Sequence, residues 1–215
     1  MSREYRSRRE WTRRYISFVF ILFIIAFGTS LSIRANLGSS PISAPPYVLS
    51  LVPGMPLTMG QLTICMHVFF ITTQIVLLRK DYDKLQLTQI LVSFLFGFYT
   101  DLTMWMTSFL QVPFTMNPLI GYPLRLAYSF GVGLVLGGGL LAFGIACEVR
   151  CDSLMLAGEG FPLAIAQFLK KEFGKVKICS DTSLVTIGVV FMFVFFGFWD
   201  WKIIGIGTLI STFYV

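Results

Sequence analysis

Long apolar stretches alternate with short polar clusters along almost the whole chain of 215 residues. A helix that crosses a bilayer needs about 20 mostly apolar residues. Six stretches approach that length, and the pattern therefore predicts six membrane spans. They cover roughly residues 15–34, 57–78, 87–110, 122–146, 182–198 and 202–215. We expect that the last and shortest stretch either tilts little or continues beyond Val215.

Two apolar segments between these spans are too short to cross a membrane. Residues 39–55 contain four prolines around the apolar sequence PYVLSLV, and residues 152–173 are interrupted by glycines and by Pro162. Both are predicted to be re-entrant or interfacial half-helices. Irregular backbone at membrane depth is tolerated where protein or a water-filled cavity satisfies its hydrogen bonds. The pattern therefore predicts a cavity between the two segments.

The chain also contains a weak internal repeat. Residues 28–41 (GTSLSIRANLGSSP) and residues 140–153 (LLAFGIACEVRCDS) each close an apolar helix with a short polar cluster. Three crossings in each half, an odd number, insert the two halves in opposite senses. Inverted repeats of this kind build the central site of many secondary transporters.

The predicted fold class is therefore an all-α polytopic membrane protein with about six transmembrane helices. These form two inverted three-helix repeats, each with a re-entrant or broken half-helix. The predicted organisation is a basic cytoplasmic tail (1–14), a first membrane repeat (15–110), an external loop (111–121) and a second membrane repeat (122–215).

Composition and charge agree with a membrane protein. Hydrophobic residues make up 55% of the chain and charged residues 13%, too apolar a mixture for a soluble domain. The net charge of +6 marks topology rather than a nucleic-acid partner, because 14 of the 17 Lys and Arg residues fall on one side of the six spans. The positive-inside rule then places the N-terminus in the cytoplasm. A cleaved signal peptide is the disfavoured alternative, since the first apolar stretch is long and belongs to the repeat.

Charged residues gather at the inner end of the fourth span. Glu148, Arg150 and Asp152 lie within five positions, next to the second short segment. Charges near hydrocarbon are costly and are usually paired or face water. These three charged residues indicate a binding site for a solute or coupling ion. The alternative is a salt-bridge cluster at the headgroup level that fixes topology.

The equivalent positions in the first half are mostly neutral. Asn36, Ser39, Ser40 and Pro41 follow the first span, and they are predicted to form the outer counterpart of the site. A half-helix that begins near Pro41 would direct its N-terminal dipole and the serine hydroxyls at an anionic group. Ordinary serine capping before a proline is the alternative.

Two further residues are candidates for ion coupling. Asp101 is the deepest acidic residue of the third span, and an intramembrane carboxylate is by default a proton or cation carrier. The alternative is a tilted helix that brings Asp101 to the outer interface. His67, the single histidine, shares a helical stripe with Gly60, Thr63 and Gln74. It is a candidate for titration near neutral pH or for a simple hydrogen bond between helices.

Three short motifs carry a resemblance to a known family. They are GSSP at residues 38–41, RCDSLMLA at 150–157 and a Gly-x-Gly-Thr run at 205–208. In these motifs the chain resembles the YczE/YitT-like family of bacterial integral membrane proteins. It departs from the usual pattern of that family at Cys151, which separates Arg150 from Asp152. The resemblance implies a bacterial cytoplasmic membrane location and either transport or a membrane-accessory role.

Taken with the repeat, these features predict a secondary transporter that moves a small solute or ion by alternating access. The alternative is a non-transporting accessory or regulatory protein of a biosynthetic or export complex. We expect no enzyme activity and no cofactor, since neither a nucleotide-binding loop nor a nucleophile with a base is visible. No metal site is expected either, because Cys147 and Cys151 lack structural zinc spacing. The expected partners are the solute and the lipid bilayer. Glycines of the fourth span predict close packing at the repeat axis or in a homodimer.

Overall fold

A computed structural model describes residues 8–36, 38–79, 82, 84–110, 129–151 and 155–214. The regular elements of this part of the chain are all helical. The α-helices are α1 (Arg8–Arg34), α2 (Ala44–Ser50), α3 (Met59–Leu78), α4 (Gln89–Met106), α5 (Gly139–Cys151), α6 (Ala157–Leu169), α7 (Phe173–Phe196) and α8 (Ile206–Tyr214). A 3₁₀ turn (Lys84–Thr88) leads into α4, and a π-helical stretch (Ser129–Gly138) leads into α5.

Four helical segments within the described residues are long and apolar enough to cross a membrane. They are Arg13–Arg34, Met59–Leu78, Gln86–Met106 and Phe173–Phe196, and Val135–Glu148 is a shorter apolar helix. Large apolar side chains such as Phe20, Leu91 and Val194 are exposed on their outer faces, as expected for contact with lipid. The chain is therefore an integral membrane protein, and the count of six spans stays a prediction. The predicted external loop, 111–121, lies outside the described residues.

The predicted start of the fifth span is wrong. The sequence pattern placed it at residue 182, but α7 begins at Phe173. The first two turns of this helix carry Lys177, one of the 14 basic residues that the charge pattern places on the cytoplasmic side, and Asp181 follows one turn later; both side chains are buried. Their charges interrupt the apolar run without interrupting the helix.

Both short segments between the spans form short helices. Helix α2 has seven residues, carries Pro45 and Pro46 in its first turn and packs against α3 and α7. Helix α6 has 13 residues, contains Pro162 and also packs against α3 and α7. At about 1.5 Å per residue, neither is long enough to cross a hydrocarbon core of about 30 Å.

Helix α1 packs against α4, α5 and the π-helical stretch. Its buried face carries Phe18, Leu22 and Ile25, which share an apolar cluster with Val92 and Phe96 of α4. Glycines allow the backbone of α1 to approach the fourth span closely. A Cβ atom on Gly137 would lie 2.8 Å from the backbone nitrogen of Ser32, and one on Gly144 would lie 2.5 Å from Ile25.

Candidate functional site

The loop after α1 is held against the loop before α8. Gly38 has a φ of 107°, and a Cβ atom there would overlap the Thr208 hydroxyl and lie 2.6 Å from the Gly205 nitrogen. The backbone N–H of Ser39 donates to the Ile203 carbonyl oxygen at 3.2 Å. The structure thus brings together the GSSP motif and the Gly-x-Gly-Thr run, which lie far apart in the sequence. This contact fixes the position of the segment that leads into α2.

Two serine hydroxyls follow at the beginning of that segment. Ser40 Oγ donates to Ser43 Oγ at 2.9 Å, and the Ser43 backbone N–H lies 3.4 Å from Ser40 Oγ. Ser43 is the N-cap residue of α2, but its side chain makes no capping hydrogen bond to the helix. Pro41 is buried beside them. The hydroxyls therefore form a small polar surface at the start of α2.

Glu148 brings a carboxylate to the same region from α5. Its Oε1 atom accepts a hydrogen bond from the Leu156 backbone N–H at 2.5 Å, just before α6 begins. Its Oε2 atom is buried and has no hydrogen-bond partner among the residues that the structure describes. The residue is only 2% exposed. An unpartnered carboxylate oxygen at this depth is costly, and such groups in membrane helices usually serve function.

A buried ion cluster lies beside Glu148. Lys177 Nζ is 3.2 Å from Glu159 Oε1 on α6 and 3.1 Å from both Asp181 carboxylate oxygens on α7. The three side chains are at most 10% exposed. One ammonium group thus serves two carboxylates, and together with Glu148 the cluster holds three carboxylates to one lysine.

These two polar surfaces face a common cavity of about 60 Å³. The serines of residues 40–43 line it from the first half of the chain, and the charged cluster lines it from the second half. Ile25, Phe96 and Leu141 contribute apolar walls. Binding cavities commonly combine apolar walls with a few polar groups in this way. No group of three His, Cys, Asp or Glu side chains in the described segments is arranged to hold a metal ion.

The predicted site residues are distributed unevenly around this cavity. Ser40, Pro41 and Glu148 line it. Ser39 is buried against Ile203, and Asn36 is exposed in the left-handed backbone region with a φ of 56°. The predicted role of Arg150 rests on a side chain outside the described part, and Asp152 also lies outside it.

Asp101, a residue of α4, lies away from the cavity and contacts the beginning of α3. Its Oδ2 atom accepts from the Thr58 hydroxyl at 2.6 Å, and its Oδ1 atom accepts from the Gly60 backbone N–H at 2.8 Å. Thr58 and Gln61 form a capping box at the same helix start. Asp101 therefore satisfies free N–H and hydroxyl donors at the end of a neighbouring helix. These contacts give it a structural role, and its ion-coupling role stays a prediction.

His67 is also outside the cavity lining. It is fully buried, and its ring stacks on Phe96 with the ring centroids 5.6 Å apart. Gly60, Thr63 and Gln74 are buried with it, so the stripe faces protein as its spacing indicates. Neither ring nitrogen has a hydrogen-bond partner in the described part of the chain. The observed contacts are thus aromatic, and coupling through His67 stays a prediction.

The sequence-based site missed Glu159, Lys177 and Asp181. One signal was present, because Lys177 and Asp181 are four residues apart and such pairs meet on one helix face. Glu159 stands between two glycines in an otherwise apolar segment, where an acidic residue needs a partner. The pairing across two helices is a tertiary contact that neither spacing reveals.

The architecture and the buried site define a helical integral membrane protein with a charged cavity. The chain belongs to the Family of unknown function (DUF6198), whose model matches residues 12–215. No curated protein and no solved structure shows significant similarity to the chain. The resemblance to the YczE/YitT-like family gains no support from these comparisons and stays a prediction.

Proposed function

We propose that the protein is a secondary transporter that moves a small solute or ion by alternating access through this cavity. One observation carries the proposal: the buried charged cluster of Glu148, Glu159, Lys177 and Asp181 faces serine hydroxyls from the other half of the chain across a cavity. Charged groups inside a membrane protein are expensive and mark substrate or ion pathways. A purely apolar core would hold these helices together without that cost.

Several helix contacts are those that an inverted repeat requires. A two-fold relation that exchanges α1 with α5, α2 with α6, α3 with α7 and α4 with α8 pairs the contacts that α2 and α6 make with α3 and α7, whereas the contact of α1 with α4 has no mate of similar extent between α5 and α8 in the described part. Helix α2 packs on α3, and α6 packs on α7. Helix α2 also packs on α7, and α6 packs on α3. The α1 and α5 helices pack on each other, as a pair next to such an axis must.

In this proposal, α2 and α6 are the re-entrant half-helices, and the cavity lies where they approach the charged cluster. The N-terminus is cytoplasmic, and the membrane is the bacterial cytoplasmic membrane. The cavity carboxylates replace Asp101 and His67 as the first candidates for coupling, because they line the cavity and the other two do not. Rocking of one half against the other would then expose the same site to each side in turn.

The test is solute flux into proteoliposomes that contain the purified full-length protein, with a panel of amines, amino acids, sugars, inorganic cations and anions. We expect flux of at least one class, and we expect Glu148→Gln to abolish it while the protein remains monodisperse and helical. Glu172→Gln is the matched control. Glu172 is an exposed carboxylate in the same half of the chain as Glu148, and its only described ion pair is with Lys175. Flux should survive in this control.

The opposite result favours the accessory-protein alternative. If no solute class moves through the wild-type protein, and Glu148→Gln lowers only its thermal stability, the cluster is structural. The protein is then expected to act as an accessory or regulatory subunit of a biosynthetic or export complex.

A further inference from the structure

Among the described side chains, the charges that line the cavity do not balance. The described side chains that line it contribute three carboxylates, Glu148, Glu159 and Asp181, and one ammonium, Lys177. Lys177 is shared between Glu159 and Asp181 at 3.1 to 3.2 Å, and the Glu148 Oε2 atom has no partner in this part of the structure. A buried carboxylate without compensation is strongly unfavourable. With the described residues alone, Glu148 therefore needs a positive charge for compensation, either a proton or a bound cation.

The walls of the cavity limit the kind of cation. Three or more metal-ligating side chains do not converge anywhere in the described segments, whereas Ile25, Phe96, Leu141 and Ile145 give the cavity apolar walls. These walls suit the carbon atoms of an organic ion better than a hydrated metal ion. The cavity volume of about 60 Å³ is small beside the roughly 300–1,000 Å³ of pockets for drug-sized ligands. This space fits an ion of only a few non-hydrogen atoms.

We propose, on the basis of the transport function above, that the cavity binds a small organic cation of the ammonium or guanidinium type at Glu148. The N–H groups of the cation donate to Glu148 Oε2, and the Ser40 and Ser43 hydroxyls provide acceptors on the opposite wall. A proton occupies the same carboxylate when the cation leaves. Binding of the cation and binding of the proton therefore exclude each other, which is the basis of an exchange of organic cation for protons.

The groups that face Glu148 set the electrostatics of this exchange. Glu159 faces it from α6, and Lys177 and Asp181 face it from α7. Helix α1 and residues 40–43 present only apolar side chains and hydroxyls within the described lining. Lys177 is already engaged by two carboxylates, so it does not neutralise Glu148 as well. The cavity thus remains attractive to a cation.

The first experiment needs no variant. Guanidinium and urea have nearly the same shape but differ in charge, so both are titrated at millimolar concentrations, far below denaturing ones, against the detergent-purified wild-type protein. Calorimetry and the melting temperature report binding, with sodium chloride at matched ionic strength as a further probe. We expect saturable binding and a raised melting temperature with guanidinium and with methylammonium only. Equal protection by urea, protection by sodium alone, or no binding of either organic cation would overturn the proposal.

The second experiment tests the carboxylate. Glu148→Gln keeps an oxygen for the Leu156 N–H but removes the charge, and we expect it to weaken guanidinium binding by about 30-fold or more, as truncation of a buried charge pair does. Glu172→Gln should bind as the wild type does. An unchanged affinity in folded Glu148→Gln would overturn the assignment to this residue.

Proton competition gives an independent readout. Calorimetry in buffers of different ionisation enthalpy should show release of up to about one proton per bound cation, and the affinity should fall as the pH is lowered. Tighter binding of the cation at lower pH would contradict the mutual exclusion of the cation and the proton. Cation binding without any flux would refute the transport function and leave the cation site standing. Flux of a neutral or anionic solute without cation binding would refute the cation site and leave the transport function standing.

Discussion

Gly28 of α1 and Gly137 of the π-helical stretch lie backbone against backbone. A Cβ atom on Gly28 would lie 2.8 Å from the Gly137 carbonyl oxygen, and one on Gly137 would lie 3.0 Å from the Gly28 carbonyl oxygen. Side chains larger than hydrogen do not fit at such distances. The two halves of the chain therefore pack backbone against backbone at this point.

A methyl group at Gly28 should separate these helices. We expect Gly28→Ala to lower the free energy of unfolding by about 1–3 kcal/mol, the usual cost of overpacking, as measured by thermal or detergent-induced unfolding. Gly139→Ala is the control, because the space around Gly139 is open. It should be neutral or slightly stabilising. Equal stability of the two variants would argue against the close approach.

Removal of the buried ammonium should leave two carboxylates without compensation. We expect Lys177→Met to lower the free energy of unfolding by about 3–5 kcal/mol, as for other broken buried pairs. Lys175→Met is the control, because Lys175 pairs with Glu172 at the surface, where the two side chains are 81% and 71% exposed. Such exposed pairs contribute at most about 1 kcal/mol. A similar loss in both variants would contradict the burial of the cluster.

Neutralisation of the whole cluster separates stability from transport. In the triple variant Lys177→Met, Glu159→Gln, Asp181→Asn, the three groups that form the buried ion pairs are all neutral and only Glu148 is unchanged, so we expect much of the stability lost in Lys177→Met to return. Flux should remain absent if the charges serve transport. Full recovery of both stability and flux would assign the cluster a purely structural role.

Asp101 offers a direct comparison between the hypothesis from the sequence and the observed contacts. Because its carboxylate caps the start of α3, we expect Asp101→Ala to cost about 0.5–2 kcal/mol in stability, like the loss of other N-terminal caps. We expect Asp101→Asn, which keeps one acceptor oxygen, to retain gradient-driven flux. The measurement is proteoliposome uptake with and without an imposed ion gradient. Uptake that no longer responds to the gradient, with binding intact, would instead support the coupling role predicted from the sequence.

Gly38 should tolerate no side chain, for two separate reasons. Its φ of 107° disfavours any L-residue, which costs roughly 1–2 kcal/mol, and a methyl group would overlap the Thr208 hydroxyl. We expect Gly38→Ala to cost about 3 kcal/mol or more once overpacking is added. Gly54→Ala isolates the backbone contribution, since Gly54 has a φ of 82° but open space around it. Thermal unfolding of both variants gives the difference, and equal losses would contradict the contact with Thr208.

The helical membrane fold was readable from the sequence wherever apolar runs are unbroken. Span 57–78 matches α3 (Met59–Leu78) to within two residues, and span 15–34 ends with α1 at Arg34. Both succeed because the hydrophobic requirement of the bilayer acts on each helix by itself. The fifth span failed because Lys177 and Asp181 look like the polar boundary of a helix. They are tolerated within it because each has an opposite charge beside it.

The site was only partly predictable for a related reason. Ser40, Pro41 and Glu148 lie where polar residues interrupt apolar segments, a signal that a sequence displays directly. Depth along one helix, which singled out Asp101, does not reveal that a neighbouring helix begins at the same level. The donors of Thr58 and Gly60 that engage Asp101 are known only once α3 and α4 are packed together.

The ion cluster also constrains how the protein is made. Lys177 and Asp181 lie in the first turns of α7, and the carboxylate of Glu159 arrives on the preceding helix, α6. Insertion of a single helix with two such charges into the membrane costs about 2.5–3.5 kcal/mol for each charge near the helix centre. This cost falls when an opposite charge is inserted together with the helix. Helices α6 and α7 should therefore leave the translocation machinery as one hairpin. Biosynthesis of the second half then depends on the same charges that face the cavity in the finished protein.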